Sequence, residues 1–150
     1  MVSRIIQLVG FAAVVGAQSQ ASLYVEVPPT IVRPYVLMHN HGPVLNLGNT
    51  AFRFPITASS SGGTMTLLTT NGDGSPDVNV FPHRHVVQYE NFFCSRGAVQ
   101  LWTQQWNATQ NVRKLTAGDF GASPPNVTHT FQIVEPNTEM YGVVFDGGLE

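Results

Sequence analysis

Residues 127–133 read VTHTFQI. Successive side chains on a β-strand point to opposite faces. Val127, His129, Phe131 and Ile133 therefore share one face, and Thr128, Thr130 and Gln132 share the other. Alternation of this kind predicts a half-buried strand. It also sets a histidine on the inward, apolar face, between Val127 and Phe131.

Outward from this stretch the same texture recurs. Candidate strands are LYVEV (23–27), YVLM (35–38), AFRFPIT (51–57), TMTLLTT (64–70), VNVF (78–81), NFFC (91–94), AVQLWTQ (98–104) and MYGVVF (140–145). Breakers separate them: SSSGG (59–63), NGDGSP (71–76), SRG (95–97), AGDFGASPPN (117–126) and EPNTE (135–139). Regularly spaced short strands between turn signals predict an all-β sandwich or barrel. No segment carries a convincing helical period, and there is no internal repeat.

A second stretch, PHRHVVQYE (82–90), holds two of the chain's 5 histidines. Strand parity puts His83 and His85 on one face with Phe81 beside them and turns Arg84 outward. Glu90 lies at an odd offset from His85, so a bend or bulge is needed to bring it to the same side. Inward histidines and a carboxylate require partners. A buried polar group left unpaired costs about 1–3 kcal/mol, and an isolated buried carboxylate costs far more. A metal ion would take the imidazoles and the carboxylate as ligands and offset the charge of Glu90. Imidazole suits copper, zinc, iron and nickel, so ligand chemistry leaves the metal open. The plainer alternative is a set of scattered, satisfied polar residues. His39 and His41 repeat the His-x-His spacing without a glutamate at the matching offset, and read as loop or strand-end residues.

The 150 residues suffice for one ordinary domain. Seven Lys and Arg against nine Asp and Glu give a net charge of −2, which excludes a nucleic-acid footprint. Cys94 is the single cysteine, so no internal disulfide is available; it reads as a small buried hydrophobe. The opening MVSRIIQLVGFAAVVGAQSQA combines Arg4, an apolar run from Ile5 to Val15, and small residues at Ala17 and Ala21. That is the pattern of a secretory signal peptide. The apolar run is shorter than the ~20 residues needed to span a bilayer. We expect a leader over 1–17, with cleavage as late as 21, and a domain over 22–150 that is secreted and extracellular, with no membrane association after cleavage. Asn107-Ala-Thr109 and Asn126-Val-Thr128 are sequons, candidate glycosylation sites on that route.

His83-x-His85-x4-Glu90-x6-Gly97 resembles the latter part of the first cupin motif, and Gly118-x5-Pro124 followed by His129 resembles the second. Asn126 stands where the second motif often has glycine, and Ile133 where it often ends in asparagine. VRPYVLMH (32–39), YENFFCSRGAVQLW (89–102) and NVTHTFQIVEPNTEM (126–140) are similar to the first cupin domain of the fungal quercetin 2,3-dioxygenases. The resemblance implies an all-β cupin jelly roll with copper, or another divalent transition metal, held by His83, His85, Glu90 and His129. It implies cleavage of the heterocycle of a flavonol such as quercetin by O2, with release of carbon monoxide and a depside. Glu90 would be the general base, with a pKa nearer the working pH than that of a free glutamate. Phe52, Leu68, Thr70, Phe92, Phe131 and Met140 would line the substrate cavity, Phe52 and Leu68 replacing the tyrosine and methionine expected there. The family's enzymes have two cupin domains, and the chain matches the first. Without the second half an apolar face is expected to lie open and to favour a homodimer. Two alternatives stand beside this reading: a secreted, metal-binding cupin that is truncated or non-catalytic, and a different metal-dependent cupin enzyme acting on a small carboxylic acid. The latter would need cationic groups inside the cavity.

Overall fold

The computed structural model describes residues 22–74, 80–104 and 109–148. The expected leader and the sequon at Asn107 lie outside the described residues. In chain order the elements are β1 (Tyr24–Val25), β2 (Val36–Leu37), β3 (Val44–Leu47), β4 (Thr50–Ile56), α1 (Ala58–Ser61), β5 (Met65–Gly72), β6 (Tyr89–Arg96), β7 (Ala98–Gln104), β8 (Gln110–Thr116), β9 (Phe120–Ser123), β10 (Thr128–Ile133) and β11 (Thr138–Phe145). The all-β expectation holds. The single turn of α1 is capped by Thr57, whose side chain accepts from the Ser60 amide while Ser60 Oγ accepts from the Thr57 amide. Among the described residues no helix is long and apolar enough to cross a membrane.

Two sheets carry the fold. One has the order β3-β4-β5-β11-β6-β9 and the other β10-β7-β8, with every neighbouring pair in them antiparallel. Their apolar faces meet in one core. Phe52, Phe54, Leu68, Phe92, Cys94 and Met140 come from the larger sheet; Val99, Leu101, Leu115, Phe131 and Ile133 come from the smaller. The alternation read from VTHTFQI is realised: His129, Phe131 and Ile133 are buried, while Thr128 and Gln132 are half-buried. Thr130 is buried as well, and its hydroxyl is satisfied by donating to the Val80 carbonyl.

Glycine makes two close approaches possible. Gly97 forms the whole connection between β6 and β7 at φ +75°, and a Cβ there would lie 2.1 Å from Thr138 Oγ1. Gly121 in β9 sits against the other sheet, where a Cβ would meet Leu101 Cδ2 at 2.6 Å.

The structure differs from the sequence reading in several places. Strands β3 and β8 were not expected, and β9 forms inside AGDFGASPPN, where turn residues predict a loop. A short segment containing Gly121 carries little strand propensity; its pairing with β6 makes it a strand. Residues 80–85 are not a strand, Val80 and Phe81 included. Phe81 is 80% exposed and does not accompany the histidines inward. Parity along a strand does not apply where no strand exists.

Candidate metal centre

His83 lies in an irregular segment and is fixed by an isolated antiparallel bridge to His129. Each accepts from the other's amide, at 3.0 and 2.8 Å. The chain bends at Val86 and Val87 and enters β6 at Tyr89, which turns Glu90 to the inner side. Glu90 faces Val144 of β11 on one flank and Ser123 of β9 on the other. His129 comes from β10, in the opposing sheet.

Four ligand atoms thus meet from separate segments. One donor atom from each of His83, His85, Glu90 and His129 lies within 4.8 Å of all the others. Nε2 of His85, His129 and His83 stand 2.8, 2.9 and 3.9 Å from the same carboxylate oxygen, Glu90 Oε2. Glu90 and His129 are buried, at 4% and 2% exposure, while His83 and His85 are half-buried on the open side.

The hydrogen bonds behind the rings orient them. His83 Nδ1 is 2.9 Å from the Phe81 carbonyl, and His129 Nδ1 is 3.0 Å from the Val127 carbonyl. A carbonyl only accepts, so when Nε2 holds a metal Nδ1 donates and Nε2 turns its lone pair inward; without a metal, Nε2 of His85 and His129 donates to Glu90 Oε2. Three imidazole nitrogens and a carboxylate oxygen facing one point can take a cation between them. The donor set therefore fits a transition-metal ion with imidazole and carboxylate ligands, and outer partners of this kind fix the tautomer of a ligating histidine. The group of three histidines and one glutamate is a metal-binding site.

Opposed effects act on Glu90. Burial pushes its carboxyl up, but the imidazoles of His129, His83 and His85 around it outweigh burial and hold it well below the usual carboxylate range. His83 is raised above its ordinary value, first by the Glu90 carboxylate 3.9 Å away, against burial, with help from the Phe81 carbonyl. A histidine Nε2 engaged by a metal no longer donates to Glu90, which removes the main cause of the lowering.

An apolar cavity of about 140 Å³ opens above the cluster, walled by Leu45, Leu47, Phe52, Phe54, Leu68 and Phe131, with His83 and Glu90 at one end. Of the expected lining residues, Phe52, Leu68 and Phe131 stand in its wall. Thr70, Phe92 and Met140 do not: each is 0% exposed and belongs to the packing behind it. Phe92 contacts the rings of His129 and Phe131 at centroid distances of 5.7 and 5.8 Å. Leu45 and Leu47 escaped the sequence reading, although VLNL alternates; the run is short and follows a Gly-Pro pair. Ser123, 2.8 Å from His129 Nδ1, was hidden among turn residues. Arg84 is exposed, and among the described residues neither lysine nor arginine lines the cavity. A larger depression of about 270 Å³ lies beside Trp102, Gln104 and Thr128. It meets the cluster only at His129, so the smaller cavity is the one joined to the chemistry.

Asn126 keeps the turn before His129 in the left-handed region, at φ 64°, a conformation that glycine adopts freely and asparagine tolerates. Its amide donates to the His85 carbonyl at 2.7 Å, so the substitution leaves the turn closed over the site.

No family model matches the chain. It is 48% identical over 131 residues to a quercetin 2,3-dioxygenase of Aspergillus japonicus, a match covering 87% of this chain and 37% of that protein. It is 28% identical over 117 residues to a quercetin 2,3-dioxygenase of Bacillus subtilis (strain 168), covering 78% and 33%. The chain thus spans about a third of the length of these curated relatives. Its fold is similar to KdgF from Halomonas sp., with a TM-score of 0.60 at 14% identity, covering 74% of this chain and 91% of that one. It is also similar to Bacillus subtilis oxalate decarboxylase, with a TM-score of 0.63 at 15% identity, covering 72% and 28%. The fold is that of the cupins, and the resemblance to the fungal quercetin 2,3-dioxygenases extends over most of the chain.

Proposed function

We propose that this cupin is the metal-binding unit of a secreted flavonol 2,3-dioxygenase, holding copper through His83, His85, Glu90 and His129. One observation carries the reading: three imidazole Nε2 atoms gather around one carboxylate, and two members of that group, His83 and Glu90, line an apolar cavity. The 48% identity to a quercetin 2,3-dioxygenase supports the choice of substrate class.

The protein's own part in the reaction follows from the geometry. Phe52, Leu68 and Phe131 offer flat apolar walls suited to an aromatic ring system. Glu90 lines the cavity, so its carboxylate is placed to accept the proton of the flavonol hydroxyl next to the carbonyl. His129, buried at 2% exposure, backs the site against water. Copper, when bound, would supply the Lewis-acid and redox chemistry that lets the deprotonated substrate meet dioxygen. Among the described residues no lysine or arginine lines the cavity to pair with a small carboxylic acid, which counts against that alternative.

Its size favours a second reading. Enclosed sites for drug-sized ligands run from roughly 300 Å³ upward, and this one is about 140 Å³. A flavonol would project past Leu45 and Leu47 on the edge strand β3, where Val44, Leu45 and Leu47 are 52%, 48% and 37% exposed. On this reading the chain binds metal without turnover unless another surface, such as a second copy, covers β3. Sedimentation velocity checks that contact: a dimer is expected, and Val44→Lys should dissociate it.

Metal analysis and an oxygen electrode decide between the two. Copper at one equivalent with quercetin-dependent oxygen uptake and carbon monoxide release is the expected result. Copper without uptake would leave only the binding role, and no retained transition metal would end both. Secretion rests on the leader pattern; the amino terminus of protein recovered from culture medium should fall between residues 18 and 22, and a glycosidase should lower its mass if Asn107 or Asn126 is modified.

A further inference from the structure

The geometry points to Ser123 as a positioning residue for the metal centre, bracing His129 against the strand that carries Glu90; this rests on the metal-site reading above. Ser123 Oγ lies 2.8 Å from His129 Nδ1, and the residue is 1% exposed. The other partner of Nδ1, the Val127 carbonyl, belongs to the segment that leads into β10 and moves with His129. Ser123 does not. It ends β9, which belongs to the six-stranded sheet, and its register partner on β6 is Glu90 itself. The Ser123–His129 hydrogen bond therefore ties a ligand of one sheet to the neighbour of a ligand in the other. It sets the separation of His129 Nε2 from Glu90 Oε2, which is 2.9 Å.

A hydroxyl suits this task because it can reverse roles. When Nε2 presents its lone pair to a metal, Nδ1 carries the hydrogen and Ser123 Oγ accepts from it, alongside the Val127 carbonyl. When Nε2–H instead donates to Glu90, Nδ1 is an acceptor, and of its two neighbours only the serine can donate. The brace persists in either tautomer, so the ring keeps its place before and after the metal enters.

The test uses the full chain, with copper(II) affinity from chelator competition, the copper EPR spectrum, and the melting temperature of the metal-free protein. Ser123→Ala is expected to weaken copper binding by about tenfold or more, the range for lost outer partners of metal ligands, and to change the EPR hyperfine splitting. Ser123→Thr and Ser123→Val have the same shape and differ in the hydroxyl. The threonine variant is expected to bind copper about tenfold more tightly than the valine variant and to keep the wild-type spectrum. Equal affinities and spectra for this pair would overturn the inference, including where the alanine variant fails to fold. Wild-type affinity and spectrum in Ser123→Ala would overturn it too. Failure of the wild-type protein to bind copper would sink the metal reading itself, a result distinct from a variant that merely matches a binding wild type.

Discussion

His83 and His129 accept from each other's amide at 3.0 and 2.8 Å, although His83 belongs to no strand. Two ligand-bearing segments far apart in sequence are thus joined by main chain. That bridge holds His83 beside His129 whatever their side chains do.

His85 carries the clearest test. Its ring is half-buried and its Nε2 reaches Glu90 Oε2 at 2.8 Å. His85→Ala should fold and lose copper, leaving well under a tenth of an equivalent after dialysis against a chelator. A full complement of metal in the variant would remove His85 from the ligand set.

Glu90 has two roles that one substitution separates. Glu90→Gln keeps the size and removes the charge and the base. Copper affinity should fall, and quercetin turnover at saturating copper should drop by about 10²–10⁴-fold, the usual contribution of a positioned base. Oxygen uptake at the wild-type rate in the copper-loaded variant would take Glu90 out of the mechanism.

The metal-free protein should show a two-sided pH dependence. Glu90 has a folded pKa below its unfolded value of 4.5, so its contribution to stability is present above that value and is lost as pH falls below it. His83 has a folded pKa above 6.5, so its contribution is complete below 6.5 and is lost as pH rises through the raised value. Melting temperature should therefore be highest between about pH 4.5 and 6.5 and decline on both sides. Glu90→Gln removes the partner common to both shifts and should flatten the two arms. A pH profile identical to wild type in that variant would contradict the coupling.

Phe131 links core and cavity. It packs against Phe52 and Phe92 at ring-centroid distances of 6.2 and 5.8 Å and is 5% exposed. Phe131→Ala should cost about 3–5 kcal/mol in chemical denaturation, the range for truncating a buried phenylalanine. A loss under ~1 kcal/mol would mean that the core closes over the gap or that the side chain is not packed as described.

Much of this protein was legible along the chain. The alternation in VTHTFQI placed His129 inward beside Phe131, and both are buried. The odd offset of Glu90 demanded a bend, and the chain bends at Val86 and Val87. These features depend on neighbours in sequence, where strand periodicity acts. Phe81 went astray because parity was carried into a segment that is not a strand.

What the residues alone determined is the alternation that makes the shell and the chemical identity of the four side chains that can hold a metal. Tertiary structure decided the rest: that β9 exists, that Ser123 stands across from Glu90 and reaches His129, that β3 walls the cavity, and that three histidines lower the Glu90 carboxyl against its burial. The reason is physical. A side chain's face on a strand is set by its immediate neighbours. The few ångströms between groups on different strands are set by pairing register and by how closely two sheets approach, and that approach depends on every residue in the core between them.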